Sequence, residues 1–146
     1  MRWTLQQVAR ALGVAAPAGL DPMARLAGVS IDSRTLGAGE LFVAIHGPRH
    51  DGHTFVADAL EGGALAAVVA HPRLLDYPEE VRQRLYAVDD TLGALQQLAR
   101  AVRESWRCGK RGRWLAAVTG SVGKTTTKEI LAALLAARLR VLKSEG

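Results

Sequence analysis

The residues best suited to chemistry lie in a short glycine-containing loop near the carboxyl end of the sequence. An apolar run, residues 114–118, precedes this loop, and a helical pattern of apolar residues, 130–135, follows it. The arrangement places the loop between a buried strand and a helix, which is the context of phosphate-binding loops. The candidate nucleotide-binding residues are Gly120, Ser121, Val122, Gly123, Lys124, Thr125 and Thr126.

The residue types in this loop fit the chemistry of a nucleoside triphosphate and its magnesium ion. Glycines allow backbone N–H groups to crowd around phosphate oxygens, Lys124 can reach the outer phosphates, and the Thr125 hydroxyl can bind Mg2+. The helix that begins here also points the positive end of its dipole at the anion. The sequence therefore predicts that the chain handles a nucleoside triphosphate.

The spacing of the loop departs from the common phosphate-loop pattern. That pattern places a glycine five residues before Gly123, where this sequence has Val118, so the loop is a shortened variant. The alternative interpretation makes Lys124 a surface lysine in a first helical turn and residues 125–127 a capping cluster. That alternative does not account for the glycines that precede the Lys-Thr pair.

Upstream of the loop, helical patterns and apolar runs alternate along the chain. Thr4 and Gln7 form a capping box for a first helix, which Gly13 ends. Helices that alternate with apolar strands favour an α/β fold in which many strands are parallel. The predicted strands are residues 28–32, 41–45, 66–70, 85–88, 114–119 and 139–143, and the further helices are residues 54–61 and 91–106.

The segment 46–53 is too polar and too rich in glycine and proline for a regular element. We expect a loop here, and loops of this kind often carry function. Its three histidines and Asp51 raise the alternative of a metal site. The glycine and proline content fits a required backbone shape rather than fixed ligand geometry, which disfavours that alternative.

Composition is ordinary for a globular protein. The chain has 146 residues, of which 49% are hydrophobic and 23% charged, with a formal net charge of +5. No apolar run is long enough to span a bilayer and no signal peptide is apparent, so we expect a cytoplasmic protein without membrane insertion. The basic residues cluster at the end of one helix and in the connector after it, where a solvated face is the usual explanation, so we expect no nucleic-acid partner.

The sequence predicts two domains with a boundary near residue 90. Residues 1–90 contain several apolar strands with helices to cover them, whereas residues 91–146 contain a helix, a basic connector and the start of a mononucleotide-binding domain. Such a domain needs several strands and an acidic residue that holds Mg2+, and only Glu129 and Glu145 follow the loop. We therefore interpret the chain as an amino-terminal fragment with a truncated second domain.

Five motifs occur in order along the chain. They are Ser30-Ile31-Asp32-Ser33-Arg34, Gly39-Glu40-Leu41-Phe42-Val43-Ala44, Asp51-Gly52-His53-Thr54-Phe55, Gly62-Gly63-Ala64 before Ala67-Val68-Val69, and residues 119–128. Together they resemble the amino-terminal part of the Mur ligases, the ATP-dependent amide ligases of peptidoglycan synthesis, and this family uses the shortened phosphate loop. Ser121 and the pair Lys128-Glu129 are most similar to the members that add D-alanyl-D-alanine.

The resemblance implies a small α/β domain that binds a UDP-N-acetylmuramoyl peptide, followed by the start of a phosphate-loop domain that binds ATP and Mg2+. By this similarity, Ile31 and Ser33 match uridine-contacting positions, and Arg49 and His50 match the loop near the uracil and diphosphate. Arg34 and Arg49 each offer a fork of donors to phosphate oxygens. The alternatives are a local ion pair between Arg34 and its neighbour Asp32, a turn cap at Ser33, and solvent-exposed loop histidines.

The implied reaction adds D-Ala-D-Ala to a UDP-N-acetylmuramoyl tripeptide through an acyl phosphate. Lys124 is the implied catalytic residue, with Mg2+ on Thr125, and we expect a monomer and an inactive fragment. Two alternatives stay open. One is another ligase of this architecture, such as the diaminopimelate- or lysine-adding enzyme or a folylpolyglutamate synthase; the other is a non-catalytic module that captures a uridine nucleotide.

Overall fold

Four parallel strands form the sheet of the first part of the chain, and each strand lies beside the next one in sequence. They belong to a computed structural model that describes residues 3–48, 50–107 and 113–144. The chain divides into two units, Met1–Cys108 and Gly109–Gly146. The strands are β1 Val29–Ser30, β2 Leu41–Val43, β3 Ala66–Ala70 and β4 Leu85–Val88.

The apolar runs predicted as strands are buried because both faces of the sheet are covered, as is usual for parallel sheets. Side chains alternate between the faces, so Leu41 and Val43 of β2 join one core cluster while Phe42 joins the other. Register follows the same logic, with Phe42 beside Ala67 and Val68 beside Tyr86. The predicted parallel α/β fold is therefore confirmed for the first unit, with strands at 28–32 and 41–45 shorter than predicted.

Helices cover the two faces of this sheet. On one face, the first helix and the last helix of the unit pack with Leu5, Val8, Ala94 and Leu98 in a single cluster. On the other face, Val56, Ala59 and Leu60 of a short helix pack against the strands. The helices of the first unit are α1 Leu5–Leu12, α2 Val56–Glu61, α3 Glu79–Arg82 and α4 Thr91–Arg107.

Local sequence signals account for the first helix. The Thr4 hydroxyl accepts from the Gln7 N–H at 3.3 Å, and the Gln7 side chain accepts from the Thr4 N–H at 2.9 Å, which confirms the predicted capping box. Gly13 ends the helix in the left-handed region with φ of 69°. The buried hydroxyl of Tyr86 donates to the Leu5 carbonyl oxygen at 2.7 Å and ties this helix to β4.

The first unit extends past the boundary near residue 90 that the sequence suggested. Ala94 and Leu98 of α4 are 3% and 2% exposed in the core cluster shared with α1. Because these side chains complete one face of the first sheet, α4 belongs to the first unit, and the division falls after Cys108. The segment between β3 and β4 also contains elements that the sequence did not predict, a 3-10 helix, His71–Asp76, and the short helix α3.

The second unit contains helix α5, Lys124–Ala136, and no strand among residues 113–144. The predicted strands at 114–119 and 139–143 are therefore wrong for these residues. Trp114 is 84% exposed, and a strand requires a hydrogen-bonding neighbour that the described residues do not supply. No helix in the described ranges is long and apolar enough to cross a membrane.

Candidate functional site

A cavity of about 610 Å³ opens at the carboxyl ends of β1 and β2 in the first unit. The segment after β1 contributes Ile31, Asp32, Ser33 and Arg34, and the segment after β2 contributes His50. Neighbouring parallel strands end at the same sheet edge, which is where open α/β sheets bind ligands. The structure thus brings together four of the predicted substrate-binding residues, Ile31, Ser33, Arg34 and His50, while the fifth, Arg49, lies outside the described residues.

The first wall of the cavity is shaped by local hydrogen bonds. The Ser30 hydroxyl accepts from the Asp32 N–H at 3.2 Å, and the Arg34 guanidinium donates to both Asp32 carboxylate oxygens, at 2.9 and 2.7 Å. The side-chain and backbone bonds from Arg34 lower the pKa of Asp32 to about 2. The predicted alternative of a local ion pair is therefore present, and the Arg34 side chain, 86% exposed, also lines the cavity.

The second wall is a hairpin, of which residues 46–48 and 50–51 are described. The Gly47 N–H donates to the His50 carbonyl oxygen at 2.9 Å, and the Gly52 N–H donates to the Ile45 carbonyl oxygen at 2.9 Å. A Cβ at Gly52 would lie 2.8 Å from both the nitrogen and the oxygen of Ile45, so this close backbone approach requires glycine. The described residues of the predicted loop therefore form a hairpin, and His50 of this hairpin lines the cavity.

A network of polar side chains lies at the base of this hairpin. One carboxylate oxygen of Asp51 accepts from the His53 backbone N–H at 3.0 Å and from its ring Nδ1 at 2.7 Å, while the other accepts from Arg73 Nη1 at 2.8 Å. His53 Nε2 accepts from the Ala70 N–H at 3.0 Å, and the Tyr77 hydroxyl donates to the His53 carbonyl oxygen at 2.8 Å. We refer to Asp51, His53, Arg73 and Tyr77 as the Asp51 network.

These contacts give His53 a structural role, because both of its ring nitrogens bind other parts of the protein. The ring is 5% exposed, and because Nε2 accepts from Ala70, the proton is on Nδ1 and is donated to Asp51. Both nitrogens are thus occupied by protein partners. Within the described residues, no group of three or more His, Cys, Asp or Glu side chains is placed to hold a metal ion.

The ionisation of Asp51 follows from the same contacts. Burial alone would raise the pKa of its carboxyl, but the bonds from the His53 backbone and ring and from Arg73 outweigh burial and hold the pKa well below its ordinary value. The carboxylate is therefore retained as a charged acceptor at the base of the hairpin.

Acid unfolding tests this ionisation. Because the pKa of Asp51 is lower in the folded chain, its stabilising contribution is complete above the unfolded pKa of about 4 and is lost as the pH falls toward the folded pKa. We expect the free energy of unfolding to fall between roughly pH 5 and 3 in the wild type, and less steeply in Asp51→Asn. Urea unfolding across that range measures it, with Asp89→Asn as the control at an exposed position. Equal slopes for wild type and Asp51→Asn would contradict the assignment.

The second unit contains the predicted phosphate loop. Gly123 precedes α5 with φ of 78°, a left-handed conformation that favours glycine, and Lys124 begins the helix. The Lys124 ammonium donates to the carbonyl oxygens of Gly120 and Ser121, so it folds back over the loop. A cavity of about 430 Å³ is lined by Val118, Lys124 and Thr125, among others.

Both units contain functional candidates that have only a weak signal, or none, in the sequence. Lys128 lines the second cavity one helical turn after Lys124 and donates to the Ser144 carbonyl oxygen at 2.6 Å, and the four-residue spacing was the available signal. Arg73 and Tyr77 of the Asp51 network lie in a segment without helical or strand periodicity. Their contact with residues 51 and 53 depends on the fold and has no local signal.

The fold of the chain agrees with what comparison with known proteins shows. The family model described as "Mur ligase family, catalytic domain" matches residues 25–103, more than half of the chain. The chain belongs to the Mur ligase family.

The relatives found are ligases of one kind for the most part. The UDP-N-acetylmuramoyl-tripeptide–D-alanyl-D-alanine ligases of Bacillus subtilis and Synechocystis are 43% and 42% identical over 119 and 111 residues, covering 82% and 76% of this chain and 24% and 23% of the relatives. The UDP-N-acetylmuramoyl-L-alanyl-D-glutamate–2,6-diaminopimelate ligase of Parasynechococcus marenigrum is 33% identical over 132 residues, covering 90% of this chain and 26% of the relative. The chain spans about a quarter of the length of these relatives.

Solved structures of Mur ligases are also similar to this chain. MurF from Acinetobacter baumannii is similar with a TM-score of 0.77 and 32% identity, over 94% of this chain and 28% of that protein. MurF ligase from Thermotoga maritima, solved in complex with ADP, has a TM-score of 0.59 and 34% identity, over 81% of this chain and 25% of that protein. The family resemblance seen in the motifs is therefore confirmed.

Proposed function

We propose that this chain is the uridine-substrate and phosphate-loop part of an ATP-dependent amide ligase that adds D-Ala-D-Ala to a UDP-N-acetylmuramoyl tripeptide. The observation that carries the proposal is the cavity of the first unit, which collects Ile31, Ser33, Arg34 and His50 from two separate segments. The names of the most similar relatives support the choice of D-Ala-D-Ala as second substrate.

The first cavity suits a uridine diphosphate. Its volume of about 610 Å³ lies in the range of small-molecule sites, roughly 300–1,000 Å³. Exposed apolar side chains of Ile31 and Phe55 offer surface to a flat base, and the Ser33 hydroxyl offers a directional hydrogen bond. Arg34 supplies positive charge at the same opening, which complements a diphosphate.

The phosphate loop suits ATP. Lys124 and Thr125 face the cavity of the second unit, and the ammonium of Lys124 can exchange its loop carbonyl partners for phosphate oxygens. The ADP complex of the Thermotoga maritima relative supports an adenine nucleotide. The residues fit a Mg2+ ion that accompanies the nucleotide, because the exposed Thr125 hydroxyl lines the same cavity; such an ion neutralises phosphate charge.

The reaction we propose has two steps. The terminal carboxylate of the muramoyl peptide attacks the γ-phosphorus, which releases ADP and gives an acyl phosphate. The amine of D-Ala-D-Ala then attacks the acyl carbon, loses a proton and expels phosphate. Lys124 contributes by placing positive charge on the outer phosphates as the bond to ADP breaks.

Separate titrations of the chain with UDP and with ATP test the division of labour. We expect Ser33→Ala to weaken UDP binding by roughly 1–3 kcal/mol, the range for loss of a hydrogen bond to a buried or charged group, and to leave ATP binding unchanged. Ser105→Ala, at an exposed position of α4, is the matched control. A wild-type chain that does not bind UDP would overturn the proposal.

One observation supports a second candidate, the diaminopimelate-adding activity. The Parasynechococcus marenigrum relative with that name matches a larger share of this chain than the D-alanyl-D-alanine ligases named above, at lower identity. ADP release by the full-length ligase with D-Ala-D-Ala or with diaminopimelate as the amine separates the two activities.

The monomeric state and the cytoplasmic location stay predictions.

A further inference from the structure

We propose that the Asp51 network is a set of positioning residues that holds the base of the hairpin, and with it His50, in the position that binds the uridine nucleotide. The inference rests on the proposed function, since it concerns the same cavity. Of the four residues, none is among those that line the cavity, so the network acts through the hairpin and through His50.

The network connects the hairpin to a different part of the sheet. Asp51 ends the hairpin that follows β2. The residues that bind Asp51 or His53 lie at the end of β3 and in the segment after it. Ala70 donates to the His53 ring, Arg73 to the Asp51 carboxylate, and Tyr77 to the His53 carbonyl oxygen. The segment after β3 therefore determines the position of the segment after β2.

Most of the polar contacts found for the described residues of the hairpin lie at its base. His46, Pro48 and His50 are exposed, and the described backbone bond within the tip is the one from Gly47 to His50. Binding a ligand with a mobile loop costs conformational entropy, and a loop held in its bound shape avoids that cost. Asp51 adjoins His50, so fixing its carboxylate at both oxygens restricts the residue that reaches the cavity.

Charge assists the restraint. The Asp51–Arg73 bond joins a carboxylate that is 22% exposed to a guanidinium that is 41% exposed. Arg73 also pairs with Asp76, three residues on, within its own 3-10 helix. The Arg73–Asp51 pair reaches the hairpin, whereas the Arg73–Asp76 pair does not. Removing each pair in turn therefore distinguishes a positioning role for the hairpin from a local role within the 3-10 helix.

The test combines UDP titration with amide hydrogen exchange on the chain. We expect Arg73→Met to raise the Kd for UDP roughly tenfold, the scale of one charge-assisted hydrogen bond, and to speed exchange at the Gly47 and Gly52 amides. Exchange at Val69, within the β3–β4 ladder, should not change. Arg73→Lys should largely restore UDP affinity because it keeps a charged donor, and the matched control Asp76→Asn should stay within about twofold of wild type.

Several results would overturn the inference. Unchanged UDP affinity in Arg73→Met, while wild type binds, would refute it and leave the proposed function intact. Equal loss of protection at Gly47 and Val69 would show a general structural role instead. If Arg73→Met does not fold, Tyr77→Phe removes one network bond alone, and unchanged affinity and Gly47 exchange in that variant would also refute it. A wild-type chain that binds no UDP would refute the proposed function and this inference together.

Discussion

Lys124→Ala is expected to lower kcat of a Mur ligase that contains this segment by at least roughly 10²- to 10³-fold, the cost of removing one preorganised charge-stabilising donor. The reason is the position of the ammonium, which lies over the phosphate loop beside Gly120 and Ser121 and faces the second cavity with Thr125. A point charge on the outer phosphates is required most strongly in the transition state, so the loss falls on kcat.

ADP release in the presence of both substrates measures this effect, and UDP titration provides the second readout. Affinity for UDP should stay within a few-fold of wild type, because Lys124 and the cavity that we propose binds the uridine substrate belong to different units. Lys143→Ala is the control, since that lysine pairs with Glu129. A Lys124→Ala enzyme that hydrolyses ATP normally but no longer binds the uridine substrate would show that the division between the units is wrong.

Leu98→Ala is expected to destabilise the first unit by roughly 2–5 kcal/mol, the usual cost of deleting a buried leucine side chain. Leu98 is 2% exposed and packs in the cluster that joins α4 to α1 and the sheet. Leu92→Ala is the matched control, because Leu92 lies on the same helix and is 49% exposed. Urea unfolding of a chain of residues 1–108 measures both.

Truncation gives the complementary measurement. A chain of residues 1–90 lacks α4 and leaves the cluster around Leu5 and Val8 uncovered on one side, so we expect it not to unfold cooperatively. If the 1–90 chain unfolded with the same free energy as the 1–108 chain, the smaller domain suggested by the sequence would be the correct one.

The fold of the first unit was largely predictable because its signals are local. The strand Ala66–Ala70 is a continuous apolar run, and the helix after Thr4 has a capping box and an apolar face. Which helix packs against which sheet was not predictable from local signals. The periodicity of residues 91–106 predicts a helix but does not say which sheet that helix covers. The boundary near residue 90 stays a prediction, and the structure groups α4 with the first unit.

The residues of the candidate site also differ in whether the sequence could indicate them. The family resemblance indicated Ile31, Ser33 and His50 as site residues. The structure brings them to one cavity because parallel strands end at one sheet edge. Arg73 lies 22 residues from Asp51, and the sequence contains no pattern that joins them. The run 114–118 is a case in which a local signal was misleading. Its apolar composition predicts a strand, but a strand needs a neighbouring strand to pair with, and residues 113–144 as described contain no strand.

The pairing of α1 with α4 has a consequence for synthesis of the protein. The first and last helices of the unit lie side by side on one face of the sheet, and the Tyr86 hydroxyl binds the Leu5 carbonyl oxygen from 81 residues away. Contacts between such distant segments form only after the chain between them has closed a long loop. On a ribosome, we therefore expect the part of the α1 apolar face that contacts α4 to stay exposed until α4 has emerged.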